Sequence, residues 1–170
     1  MRVLGVDPGL TRCGIALVHG VAGGTLVAED VGVLTSGTDM PHERRLVHIA
    51  RGIEDHLDRG QPDALAVERV FSQHNTRTVI GTAQVAGIAM MLAAERGIEV
   101  VWYTPTEVKA AVTGSGRADK AQVGYMVQRV LRLQMPLRPA DAADAAAIAV
   151  CHIWRGGAQS KLQRALAGRP

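Results

Sequence analysis

The chain of 170 residues is poor in aromatic residues and cysteine, and it has no long uninterrupted hydrophobic run. Aromatic residues make up 3% of it, so its core has to be built from aliphatic side chains, and any exposed aromatic side chain would be informative. Cys13 and Cys151 lack the spacing of a zinc site or a disulfide framework, which predicts a reducing, cytoplasmic location. The most apolar stretch, residues 79–94, is shorter than the roughly 20 residues that cross a membrane, so we interpret it as a buried helix.

Length and composition indicate one globular domain. Apolar residues make up 47% of the chain and charged residues 21%, as is usual for a folded protein. We assign the domain to residues 1–156 and expect the basic segment 157–170 to be a frayed tail. Residues 1–104 carry a net charge of −3 and residues 105–170 one of +6. A basic half is typical of a protein that binds a polyanion, although a solvated basic face explains the charge equally well.

The pattern of apolar residues predicts an α/β fold with a five-stranded mixed sheet and helices on both of its faces. The predicted strands are residues 3–7, 12–19, 25–34, 64–68 and 98–103, and the predicted helices are 41–59, 75–96, 106–112, 119–133 and 139–155. The first three strands form a meander, and we expect strands one, four and five to be parallel. The carboxyl ends of adjacent parallel strands gather at one edge of a sheet, where α/β proteins place their sites.

Four acidic residues lie at the ends of these elements. Asp7 closes the first strand and Glu68 the fourth, while Asp141 and Asp144 share one face at the start of the last helix. Each has a simpler explanation. Asp7 before Pro-Gly is a common turn opener, and Glu68 could be solvated or paired with Arg69. The helix acids could complement the helix dipole, which explains Asp144 poorly because it lies further inside.

Together, the four acids indicate a metal site. They have no Cys or obvious His ligands nearby, which favours Mg²⁺, or Mn²⁺ in its place, over zinc. A cluster of carboxylates is typical of two-metal phosphodiester hydrolysis, with two ions in each active site.

Four segments together resemble the successive motifs of the RuvC Holliday junction resolvases. They are GVDPG at 5–9 with Gly14, VERVF at 67–71, GSGRADKAQV at 114–123 and DAADA at 141–145, in matching order over about residues 1–155. The resemblance implies a ribonuclease H-like nuclease domain over residues 1–156. It also implies a homodimer that cuts two opposing strands of a four-way DNA junction with divalent metal, alongside the branch-migration helicase complex of the same recombination and repair pathway. By position, the metal-binding catalytic acids would be Asp7, Glu68, Asp141 and Asp144.

The same resemblance gives four residues a role in binding DNA. Lys109 and Lys120 match lysines that meet DNA near the active site, and Arg117 lies in the Gly-rich loop, whose backbone amides could approach a phosphate. Phe71 matches an aromatic residue that stacks on opened bases at the junction. The alternatives are a solvated surface for the basic residues and a core position for Phe71, the only phenylalanine.

The helix predicted at 75–96 is apolar on nearly all sides, so it needs a second cover besides the sheet. A neighbouring helix or a second subunit would supply that cover. We interpret the segment 90–92 as core, and Cys151, His152 and Trp154 as packing residues.

Three other functions fit parts of the sequence. The GVDPG segment also resembles the first phosphate loop of actin-like ATPases, but 170 residues leave no room for their second lobe. A scaffold that binds junctions without cutting them is disfavoured, because four acids weaken DNA binding unless a metal neutralises them. A ribonuclease H-like enzyme that cuts RNA is the nearest enzymatic alternative, because a fold does not fix a substrate.

Overall fold

The computed structural model describes the backbone of residues 1–69 and 76–167 and the side chains of residues 1–69 and 79–156. Phe71 and the side chains of the basic tail lie outside the described residues. The elements are β1 (Arg2–Asp7), β2 (Arg12–Gly20), β3 (Leu26–Thr35), α1 (His42–Gly60), β4 (Ala64–Glu68), α2 (Thr76–Glu95), β5 (Glu99–Tyr103), α3 (Pro105–Thr113), α4 (Lys120–Val130) and α5 (Ala140–Ala167).

The five strands form one mixed sheet in the order β3-β2-β1-β4-β5. Strand β1 pairs in parallel with β4, and β4 with β5, whereas β2 is antiparallel to both β1 and β3. The predicted five-stranded sheet and its parallel strands are therefore confirmed. In the ladders, Asp7 lies opposite Gly14 and Val6 lies opposite Val67. This register places Asp7 and Glu68 side by side at one edge of the sheet.

Alternation along the strands produces two cores, one on each face of the sheet. Val3 and Ala66 belong to the core that includes buried residues of α3, α4 and α5. Leu4 and Leu65, each one residue away from these, belong to the core that α1 and α2 cover. The prediction of helices on both faces is confirmed.

Helix α5 lies unusually close to the sheet, because two strand positions beneath it are glycines. A Cβ atom on Gly5 would overlap the carbonyl oxygen of Ala145, and one on Gly14 would overlap the carbonyl oxygen of Asp141. Residues 145–153 of the helix are all buried. The contact is made between backbones, so any larger residue at these two positions would push α5 away.

The boundaries of two helices differ from the prediction by more than one residue. Helix α4 ends at Val130 rather than Leu133, because Arg132 has a φ of 52°, which interrupts the helix. The backbone of α5 continues to Ala167, beyond the predicted end near residue 155. Apolar periodicity detects the buried part of a helix and carries little information about a polar extension.

Helix α2 is only partly covered by the part of the chain that the structure describes. Val85, Ala89 and Leu92 are buried against the sheet and α1, but Ile80 is 58% exposed and Met91 is 52% exposed. The interpretation of the segment 90–92 as core is therefore right for Leu92 and wrong for Met91. No helix in the described part of the chain is both long and apolar enough to span a membrane.

Candidate active site

Strand alternation directs Asp7 and Glu68 towards α5. Asp7 follows Val3 and Gly5 at intervals of two residues, and Glu68 follows Ala66 at the same interval. Side chains with this period lie on one face of a sheet, and Val3, Gly5 and Ala66 all belong to the α5 side. The carboxyl groups of Asp7 and Glu68 therefore lie next to each other and face the helix that carries the other two acids.

Three of the four acids line one cavity of about 220 Å³. Asp7, Glu68 and Asp144 share it with Lys109 and Lys120. The remaining lining residues are Pro105, Val108, Val123, Ala147 and Ile148. The cavity thus combines three acids with both predicted lysines and is completed by apolar side chains.

Capping boxes fix the helices that carry the two lysines. The Thr104 hydroxyl accepts a hydrogen bond from the backbone of Glu107 at 3.2 Å, and the Glu107 carboxylate accepts one from the backbone of Thr104 at 2.8 Å. Asp119 and Gln122 form the same reciprocal pair at the start of α4. Such caps satisfy the free N–H groups of a helix end. They define the start of α4, whose first residue is Lys120.

Two ion pairs hold the acids of α5. The ammonium group of Lys120 donates to the Asp144 carboxylate at 2.8 Å. The guanidinium of Arg12 donates to Asp141 through Nε at 2.8 Å and pairs with it through Nη2 at 2.7 Å. Asp141 is therefore turned towards Arg12 and does not line the cavity.

Arg12 is a residue of the site that the sequence patterns did not single out. This residue begins β2, directly after the turn that follows Asp7, and the antiparallel pairing of β1 with β2 returns it to the edge of the sheet that holds the acids. The sequence signal for it was a basic residue at the start of the second predicted strand, just after the turn that follows Asp7.

Burial and mutual repulsion raise the pKa values of two of the cavity acids. Burial raises the pKa of Asp7 to about 8, and the negative charges of Glu68 and Asp144 contribute to the increase. Burial and Asp144 also raise the pKa of Glu68, although a hydrogen bond with Asp7 opposes this. The hydrogen bond to Asp144 raises the pKa of Lys120. Ionised carboxylates are buried here and repel one another, so an added cation would be stabilised there.

The donor set suits a hard divalent cation, because all four acids offer carboxylate oxygens. Within residues 1–69 and 79–156, however, no three His, Cys, Asp or Glu side chains already converge as metal ligands. The ion pairs explain this, because Asp141 and Asp144 are engaged by Arg12 and Lys120. Both contacts use Oδ2 of the carboxylate, so binding a metal through all four acids would use the opposite oxygens or displace the two basic side chains.

The remaining predicted residues lie outside this cavity. Arg117 is exposed and lines a neighbouring cavity with Thr113, Ser115 and Tyr125. Phe71 lies outside the described residues, so its predicted stacking role stays a prediction.

The interpretation of the last helix as a packing element is confirmed for three residues. Cys151 and His152 are buried, and the imidazole Nδ1 of His152 shares a hydrogen bond of 2.9 Å with the Tyr103 hydroxyl. Trp154 is partly buried against the same core.

Comparison with known proteins gives consistent matches over nearly the whole chain. A family model described as crossover junction endodeoxyribonuclease RuvC matches residues 3–152. A protein of that name from Streptomyces avermitilis is 64% identical over 98% of this chain and 95% of the relative. Another from Thermobifida fusca is 60% identical over 97% of this chain and 91% of the relative.

Solved structures give the same result. RuvC from Thermus thermophilus, in complex with a Holliday junction substrate, superposes with a TM-score of 0.89 at 31% identity, covering 94% of this chain and 97% of that one. A yeast mitochondrial Holliday junction resolvase superposes with a TM-score of 0.64 at 14% identity, over 97% of this chain and 84% of that one. The second match concerns the fold alone. The predicted ribonuclease H-like fold is confirmed.

Proposed function

Because the chain belongs to the RuvC family of crossover junction endodeoxyribonucleases, we propose that it resolves four-way DNA junctions by hydrolysing one phosphodiester bond in each of two opposing strands. The observation that carries the proposal is the cavity in which Asp7, Glu68 and Asp144 face Lys109 and Lys120. Carboxylates for metal and ammonium groups for phosphate are the two requirements of phosphodiester hydrolysis by this route.

In this proposal the four acids, Asp7, Glu68, Asp141 and Asp144, hold Mg²⁺, two ions in each active site, and Mn²⁺ can replace it. When bound, the metal activates water as a nucleophile and stabilises the charge that develops on the phosphate and the leaving oxygen. Asp7 and Glu68 come from adjacent strands and Asp144 from the helix packed on them. Rigid elements therefore fix the relative positions of these donors.

The lysines orient the DNA strand in the proposed mechanism. Lys109 lines the cavity and forms no ion pair with any described residue, so its ammonium group is free to contact a phosphate. Lys120 is paired with Asp144 at 2.8 Å. If Asp144 turned to hold the metal, Lys120 would be released to contact the same strand. The two ammonium groups then position the scissile phosphate over the acids.

We also propose that the enzyme acts as a two-fold symmetric homodimer. Ile80 and Met91 expose apolar surface on α2, and burial of such surface against a second copy is favourable. Two symmetry-related active sites match two symmetry-related strands of a junction. The branch-migration helicase complex of the same pathway is the proposed protein partner, and the cytoplasm is the proposed location.

The proposal is tested with a synthetic four-way junction labelled on each strand in turn. Purified protein is incubated with this junction, with a linear DNA duplex of matched sequence, and with a four-way RNA junction, each with Mg²⁺ or with EDTA. We expect paired cuts in opposing strands of the DNA junction with Mg²⁺, and no cuts with EDTA.

Three results would contradict the proposal. Equal cutting of the linear duplex would show a nuclease without junction selectivity, and preferential cutting of the RNA junction would favour the RNA-directed alternative. ATP turnover without any cutting would indicate an actin-like ATPase instead.

A further inference from the structure

Tyr125 is exposed in a chain that has few aromatic residues. Tyr103 is 2% exposed, and Trp102 and Trp154 are partly buried in the two cores. Tyr125, by contrast, is 60% exposed on α4. It is the one strongly exposed aromatic side chain within residues 1–69 and 79–156. Packing therefore does not explain its position.

Tyr125 lines a groove of about 770 Å³ between α4 and the start of α5. On the α4 side the groove is formed by Ala121, Gly124, Tyr125 and Gln128, which recur at helical spacing and so share one face. The opposite side is formed by residues 136–140 and Ala143. Ala121 and Gly124 keep the groove open, so the tyrosine ring stands beside an apolar space.

The groove adjoins the active-site cavity. Lys120 and Asp144 line both of them. A polymer bound with one phosphate among the catalytic acids therefore passes Lys120 and enters the groove. On its other side, Tyr125 also lines the cavity that contains Arg117. The ring thus lies between the catalytic site and a residue predicted to contact DNA.

The charge around the groove favours a polyanion. Residues 120–140 contain four basic residues, Lys120, Arg129, Arg132 and Arg138, and no acidic residue. Lys120 and Arg138 line the groove itself, together with one acid, Asp144, which is paired with Lys120 at 2.8 Å. An apolar space with an exposed aromatic ring and basic residues at its rim is the combination that binds single-stranded nucleic acid, because the bases stack and the phosphates pair with the cations.

We propose that this groove holds the nucleotides next to the scissile phosphate and that Tyr125 stacks on one of their bases. The inference rests on the proposed function and adds a base-binding subsite to it. An opened junction supplies the unpaired bases that such stacking requires. The subsite would retain the DNA strand beside the catalytic acids and fix its direction across them.

The test places the fluorescent base 2-aminopurine at successive positions on both sides of the cut. Full-length protein carrying Asp7→Asn binds these junctions without cutting them. We expect quenched emission at one position, restored by adding Tyr125→Ala and retained with Tyr125→Phe, which keeps the ring. Tyr125→Ala should weaken junction binding about 10-fold. The salt dependence of its binding should not change, because the tyrosine neutralises no phosphate.

Tyr125→Leu is the matched control, since it keeps apolar area without an aromatic ring, and circular dichroism establishes that each variant folds. We expect Tyr125→Leu to behave like Tyr125→Ala. Emission independent of residue 125 at every position would overturn the inference, as would a Tyr125→Phe variant that behaves like Tyr125→Ala. A change of oligomeric state in Tyr125→Ala would also overturn it, because the groove would then be an interface between copies of the chain.

Failure of the subsite and failure of the proposed function can be told apart. Normal paired cutting by an otherwise wild-type Tyr125→Ala protein with wild-type junction affinity would remove the subsite alone. A wild-type protein that cuts no four-way junction would remove the proposed function, whereas the fluorescence of the bound junction would still report on the groove.

Discussion

The two faces of the sheet are covered in different ways. On one face, α5 approaches Gly5 and Gly14 so closely that a single added carbon would overlap its backbone. On the other, α1 packs through Ile49, Ile53 and Leu57, whose branched side chains fill the space above the strands. The first contact is between backbones and the second between side chains.

The two faces therefore differ in how far their packing can adjust to a change. Side chains change rotamer and repack, whereas a contact between two backbones involves no side-chain torsion that could absorb a change. The acids that we propose as catalytic lie at the face covered by α5, which we call the rigid face. The face with adjustable packing also carries the uncovered surface of α2 around Ile80 and Met91, which we propose as the dimer interface. Substitutions made at one face at a time test this difference.

The largest effect is expected from removing a charge at the rigid face without moving the backbone. Asp7→Asn should reduce junction cutting on the order of 1,000-fold or more, because metal coordination supplies several kcal/mol of transition-state stabilisation. Junction binding should be retained. Single-turnover cleavage and equilibrium binding measure the two effects, and near-normal cutting would remove Asp7 from the mechanism.

The same substitution should affect stability in the opposite direction. Without metal, burial raises the pKa of Asp7 from its ordinary 3.8 to about 8, so folded protein keeps a proton that unfolded protein releases. The resulting stabilisation is complete below the ordinary value and is lost as the pH rises through 8. Asp7→Asn removes this dependence. In EDTA, its melting temperature relative to that of wild type should therefore rise between pH 5 and pH 8.5, and a pH-independent difference would contradict the assignment.

A smaller loss is expected from displacing α5. Gly14→Ala places a methyl group against the Asp141 carbonyl and should lower cutting roughly 100-fold, because small displacements of catalytic groups have effects of that size. It should also lower the melting temperature. Gly32→Ala, in β3, is the matched control, because a Cβ there meets no atom within 4 Å. Equal behaviour of the two variants would show that the close approach of α5 is not essential.

On the adjustable face, Met91→Glu should weaken dimerisation at least about 10-fold, because a buried unpaired charge is costly. The variant should stay folded but cut the two strands independently. Met135→Glu is the control, since Met135 is 74% exposed and lies outside α2. Sedimentation measures the oligomeric state. A wild-type monomer with intact paired cutting would rule out the proposed dimer.

The smallest effect is expected from Lys120→Ala. Loss of one phosphate contact should lower the slope of log affinity against log salt by about one unit. Lys120→Arg keeps the charge and should keep the slope. Salt titration of junction binding distinguishes the two variants, and an unchanged slope in Lys120→Ala would make this lysine part of the ordinary surface.

The sequence was most informative where a single local pattern decided the structure. Short apolar segments between turn residues predicted all five strands, and placed Asp7 and Glu68 at strand ends that are adjacent in the sheet. The sequence contained no such local pattern for contacts between distant segments. Arg12 and Asp141 are 129 positions apart, and their pairing depends on how closely α5 approaches β2. The exposure of Met91 and the groove at Tyr125 likewise follow from the relative positions of whole elements, which periodicity does not encode.

Gly14 bears on how the sequence can diverge over evolution. It lies opposite Asp7 in the β1–β2 ladder and directly beneath the carbonyl of Asp141, so one peptide unit links two acids that are far apart along the chain. Hydrophobic side chains do not set the distance between these two acids. Substitutions among the core residues should therefore change this spacing less than a substitution of Gly14 would.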